Sequence, residues 1–225
     1  STNLVFSVSP TLTYLALAAG TATAGQSPLK FTGGTNLTAA EAGAVEYDGT
    51  CYYATPNAGN RGALSTEHFV VLTSSNTLTN STAAQPLFDG GGGPANGSLT
   101  LPTGTYFFQL LWDISGLSAS AHTLSLTFSG TATIGAIKYQ GSSTDSTAVI
   151  VVGSAATATQ IGTAGTTSTT SRVIISGVFT VTVAGTIIPQ ITQGTASAAA
   201  TVLIGSHFRC HSVGASNVAT VGNWS

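Results

Sequence analysis

From residue 105 onward, apolar side chains recur at every second position in short runs broken by clusters of Gly, Ser, Thr and Asn. That spacing places alternate residues on one face of a strand and is incompatible with a helical stripe. The runs are Thr105 to Ile114 (TYFFQLLWDI), His122 to Phe128, Ala132 to Tyr139, Ala148 to Val152, Ser171 to Val183 (SRVIISGVFTVTV), Thr186 to Thr192 and Thr201 to Val213 (TVLIGSHFRCHSV). Strands at this spacing predict an all-β chain whose C-terminal part is a β-sandwich or jelly roll. The best helix-forming window, LTAAEAGAV, carries Gly43 ahead of β-branched Val45, so any helix is short.

The segment before these strands has a different texture. Residues 1 to 72 alternate turn signals (Gly20, Gly25, Gly33-Gly34, Asp48-Gly49, Pro56-Asn57, Gly59-Asn60) with apolar pieces too short to enclose a core. We therefore expect an extended, hairpin-rich N-terminal segment over 1–72 and a head over 73–225. The stretch from about 75 to 100 is a turn-rich lead-in, loosest at Gly90 to Gly93 before Pro94. A segment that cannot bury its own apolar residues takes its core from other chains, and a threefold homo-oligomer supplies them.

Charge narrows the possible partners. Charged residues are 5% of the 225, against about 25% in an ordinary soluble protein. Hydroxyls and amides must wet this surface. The five Lys and Arg are scattered singly, leaving nothing to neutralise a run of phosphates, so nucleic acid is not expected as a partner. The start lacks a basic n-region, and YLALAAGTATAG is far short of the roughly 20 apolar residues that span a bilayer, so neither a signal peptide nor membrane insertion is expected.

Three of the seven acidic residues, Glu41, Glu46 and Asp48, fall within AEAGAVEYDGTCYYAT. Asp-Gly between β-rich flanks signals a hairpin. With Asp48-Gly49 central, Tyr47 pairs with Thr50, Glu46 with Cys51 and Val45 with Tyr52. Val45, Tyr47 and Tyr52 then share the face to be buried, against a partner chain, and Glu46 takes the polar side. Local geometry does not bring these acids together as a glycosidase pair, and only Asp48-Gly49 matches a calcium loop. DGGGGPANGS lacks the G-K-[ST] ending that cradles phosphates, and no G-x-S-x-G elbow occurs. We expect no enzymatic activity and no cofactor.

In HFRCH, strand geometry puts His207, Arg209 and His211 on one side and Phe208 and Cys210 on the other. His207 and His211 are then roughly 13 Å apart, too far to share one ion at Zn–N distances near 2 Å. One copy builds no metal site, whereas three copies could bring three His207 or three His211 to an axis. Trp224, Tyr139 and His122 are the residues expected to contact a glycan, and Trp224 also a neighbouring subunit. Cys51 and Cys210 are read as unpaired thiols.

Residues 14 to 64, YLALAAGTATAGQSPLKFTGGTNLTAAEAGAVEYDGTCYYATPNAGNRGAL, resemble a segment recurring in tail fibres and other virion proteins of tailed bacteriophages. The shared features are an L-x-L-x-A-G-T start, a P-L-K-F-T-x-G-T-x-L core and an E-x-G-A-x-E-Y-D-G hairpin. TYFFQLLWDISG (105 to 116), GTIIPQIT (185 to 192) and IGSHFRCHSVGASNVATVGNWS (204 to 225) resemble the jelly-roll-like domain that often follows it. The resemblance implies a homotrimer attached to other virion proteins through its N-terminal segment. It implies a tail fibre that meets a host surface glycan or receptor, or alternatively a head fibre or capsid decoration protein. It also implies manufacture in a bacterial cytoplasm, where thiols stay reduced, and residence on the tail or capsid surface.

Overall fold

TYFFQLLWDI is the central strand of the molecule because both its neighbours pair along its length, and its alternate residues Tyr106, Phe108, Leu110, Trp112 and Ile114 are all buried. The computed structural model describes residues 14, 16–57, 59–89, 95–144, 151–153 and 159–215. Six short strands come first: β1 (Val45–Tyr47), β2 (Tyr52–Ala54), β3 (Gly62–Leu64), β4 (Glu67–Val71), β5 (Asn76–Thr77) and β6 (Gln85–Pro86). A 3-10 turn, Ala95–Gly97, precedes β7 (Leu99–Leu101), the long β8 (Gly104–Ser115), β9 (His122–Ser129) and β10 (Thr133–Ser143). The chain continues through β11 (Val151–Gly153), β12 (Thr159–Thr166), β13 (Thr170–Val183), β14 (Gly185–Gln193), β15 (Thr201–Val202) and β16 (His207–Gly214).

The architecture is all-β and antiparallel. β1, β2 and β3 form a small sheet in that order. An eight-stranded sheet runs β11-β10-β13-β8-β15-β5, with β16 on β8 and β4 on β16. A five-stranded sheet runs β12-β9-β14-β6, with β7 on β14. The two larger sheets share one core: Phe108 and Phe179 from the larger meet Phe128 from the smaller, with ring centroids 5.8 and 6.4 Å apart. Leu124, Leu126, Ile187 and Ile191 complete it from the smaller sheet. Among the described residues no helix is long and apolar enough to cross a membrane.

Three local expectations change. The run from Thr201 to Val213 is two strands, since residues 203–206 bulge out between Val202, opposite Ile114, and His207, opposite Leu111. Gly205, at φ +88, makes the bulge possible, and Leu203 N–H and Ser206 Oγ tie its two ends to Asp113. Two extra residues preserve parity, so Val202, Phe208 and Cys210 all still point inward. Strand β12, TQIGTAGT, is missed by periodicity because Ile161 is its sole large apolar residue. Strand β4, N-terminal to residue 72, belongs to the head's larger sheet through its pairing with β16. The Gly90 to Gly93 loop lies outside the described residues, as does most of Ala148 to Val152.

Candidate functional site

The Asp48-Gly49 hairpin forms, with a different register. Tyr47 pairs with Tyr52, Glu46 with Tyr53 and Val45 with Ala54. The turn centres on Gly49 and Thr50 because the Asp48 carboxylate acts before the bend: Oδ1 accepts from Thr50 N–H at 2.8 Å and from Cys51 N–H at 2.7 Å. Gly49, at φ +94, supplies the positive dihedral at the first central position. Moving the turn by one residue shifts the partners by two, so Val45, Tyr47 and Tyr52 keep a common face.

That face is not the one a single copy buries. Cys51 (1% exposed), Tyr53 (6%) and Thr55 (1%) face inward, and Cys51 Sγ lies 3.7 Å from Ser212 Oγ on β16. Tyr53 donates its hydroxyl to Asp48 Oδ2 at 3.1 Å, closing the underside of the turn. Tyr47 and Tyr52 stack at 4.3 Å on the other side, Phe31 meets Tyr52 edge-on at 6.0 Å, and Val45 is 47% exposed. The shift in register does not cause this inversion. Tertiary contact with the head does, by covering the cysteine side.

Glu46 is a staple rather than a solvated edge. Arg61 holds it through Nε at 2.8 Å and Nη2 at 3.2 Å, while Leu37 N–H donates to Glu46 Oε1 and Arg61 Nη2 donates to the Leu37 carbonyl. With the two side chains 10% and 23% exposed, the pair fixes the segment before the hairpin. Glu46→Ala leaves Leu37 N–H without its acceptor, at a cost of about 2 kcal/mol. We therefore expect exchange of the Leu37 amide hydrogen to accelerate roughly 30-fold, while amides in β8 and β13 stay protected. Equal acceleration throughout would show that the staple supports the whole fold.

Two of the three residues expected to contact a glycan are inside. His122 is 3% exposed and continues the inward row of Leu124 and Leu126, with Nδ1 3.0 Å from the Ser120 carbonyl oxygen. Tyr139 is 4% exposed and follows Ile137 inward. Neither ring is available for stacking. Trp224 lies outside the described residues. The irregular register of β10 between Ile134 and Ile137 breaks the alternation that leads up to Tyr139.

His207, Arg209 and His211 do share the outer side of β16, opposite buried Phe208 and Cys210. Their neighbours are organic: Phe69 lies 5.6 Å from the His207 ring, Phe107 lies 5.5 Å from that of His211, and Arg209 Nε donates to Gln109 Oε1. Among the described residues no group of three or more His, Cys, Asp or Glu is placed to hold a metal ion. Cys51 and Cys210 are both free and buried. The acids are committed elsewhere as well: Asp113 takes two bonds from Arg172, which hold its carboxyl below the usual range, and Glu67 lies 3.4 Å from Arg209. The arrangement offers surfaces for association, with Glu46, Asp48, Glu67 and Asp113 engaged in bonds that hold turns and strands together. No protein-family model matches this chain, and neither does any curated protein.

Proposed function

We propose that this chain is a bacteriophage virion structural protein, a short trimeric tail fibre for host attachment, in which residues 1–72 form the attachment or shaft segment and 73–225 a jelly-roll-like head. The carrying observation is the imbalance between its two parts. Every residue from 16 to 35 is exposed, Leu17 (49%), Leu29 (56%) and Phe31 (37%) included, while the head closes a core joined, among the described residues of the first segment, only by Val70 and Leu72 at its end. Ordering a residue costs about 1–2 kcal/mol, and a segment whose residues all stay largely exposed offsets little of it. Other copies of the chain are the natural cover, with the Val45, Tyr47 and Tyr52 face meeting a neighbour.

Two antiparallel sheets around one core support the jelly-roll-like reading of the head. The hydroxyl-rich, charge-poor surface suits a particle exterior, and the engagement of Glu46, Asp48, Glu67 and Asp113 in structural bonds supports a non-enzymatic role. Labelled protein is expected to bind host cells and to block phage adsorption. Absence of binding at saturating concentration, with the protein located on capsids by microscopy, would assign it to decoration instead. Release of reducing ends from host polysaccharide would overturn the non-enzymatic reading.

A further inference from the structure

The outer faces of the two large sheets differ in chemistry. On the five-stranded sheet the outward positions of β9 and β14 are Thr123, Ser125, Thr127, Thr186, Gln190 and Thr192, with Ile188 among them. On the eight-stranded sheet they include Phe69 (53% exposed), Ile174 (50%), Val178 (41%) and Val71 (36%). The first is a surface for water. The second sets exposed apolar residues among charged and polar ones, Gln109, Arg172 and Arg209 included.

Register arranges this face in rows. Lys138 stands opposite Val178, Val178 opposite Phe107, Phe107 opposite His211, and His211 opposite Glu67. The row thus begins with a cation and ends with an anion, four strand spacings or about 19 Å apart. Arg61, Arg172 and Arg209 each hold a carboxylate, but among the described residues Lys138 has no ion-pair partner. Glu67, half exposed, contacts Arg209 at 3.4 Å and no other cation among the described residues. Lys138 and Glu67 on one flat face cannot meet within one copy. They can meet between copies related by rotation, where the left flank of each subunit faces the right flank of the next.

We propose that the outer face of the eight-stranded sheet is the seam between heads, with Lys138 of one copy against Glu67 of its neighbour around a threefold axis, and Val178 and Phe107 between them. The inference rests on the trimer reading above and specifies its geometry. β8 is 12 residues long, about 40 Å, so the face covers at most roughly 750 Å², shared between two neighbours around the axis; each contact is therefore smaller than the ~800 Å² per partner of an ordinary specific interface and is supplemented by the exposed N-terminal segment. The apolar centre supplies affinity, and the flanking charges set the direction of rotation.

The test is charge exchange in the full chain, followed by sedimentation over a concentration series. The wild type is expected to sediment as a trimer. Lys138→Glu and Glu67→Lys should each raise the concentration at which it dissociates at least 10-fold, and the double exchange should return it to within about threefold of wild type. Val178→Asp, at an exposed position, should dissociate the trimer irrespective of either charge, and circular dichroism is expected to show every variant folded. A wild-type trimer indifferent to all four changes would overturn the seam alone and place another partner on this face. A wild-type monomer would overturn the trimer reading and the seam with it.

Discussion

Phe108→Ala is expected to destabilise the head by about 3–5 kcal/mol, read as a fall in Tm of roughly 10 °C. Phe108 is fully buried, and its ring lies 5.8 Å from Phe128, 6.2 Å from Tyr139, 5.5 Å from Phe179 and 6.1 Å from Phe208. Those four rings come from four different strands, and each is tied by its own backbone pairing, so they cannot collapse into the space left by a missing phenyl. The lost burial and the residual cavity both contribute. Phe69→Ala provides the comparison: its ring is half exposed on the outer face, and in the isolated subunit it should change stability by about 0.5 kcal/mol or less. Similar losses for both variants would mean that the two sheets do not share the core described here.

Raising pH is expected to weaken the fold steeply between about 9 and 12, chiefly through Cys210. Burial, helped by the negative charge of Glu67, pushes this thiol up to about 12 from an ordinary value near 9. Below pH 9 the thiol is protonated in both folded and unfolded chains, so it adds no pH dependence. Between 9 and 12 the unfolded chain releases a proton that the folded chain retains, and stability falls as pH rises. A gap of three units corresponds to about 4 kcal/mol, as an order of magnitude. Buried Tyr106, also shifted upward by desolvation, adds loss in the same direction at higher pH. Urea midpoints measured from pH 8 to 11 should therefore drop sharply for wild type and more gently for Cys210→Ala. An unchanged slope in that variant would assign the alkaline loss to the tyrosines. At the acid end His68, whose ring is held below its usual range by burial, disfavours the fold as pH drops below about 6.5, because the unfolded chain then takes up the proton more readily.

Much of the fold was legible in advance because alternation is a local property. The grouping of Tyr106 to Ile114 and of Val173 to Val181 into alternate rows, and the opposed sides of HFRCH, follow from period two alone. Asp48 was equally legible as a turn former, although its place in the turn was not. Whether it precedes the bend or occupies it depends on which backbone N–H groups reach its carboxylate. Strand β12 left no trace in the pattern, since its small residues carry little hydrophobic contrast.

The candidate surfaces were less legible, since they depend on partners remote in sequence. Nothing in VEY indicates that Glu46 will be claimed by Arg61, and nothing near Cys51 indicates that Ser212, 161 positions away, will cover it. His122 and Tyr139 looked equally able to face solvent or core until packing of one sheet on the other selected their side. The sequence by itself determined that the chain is β-rich and poor in charge, and which residues share a strand face, because alternation and composition need no neighbours. Tertiary structure alone decided which of those faces lies inside and placed Lys138 and Glu67 at opposite ends of one row, because both depend on how distant strands pair and stack.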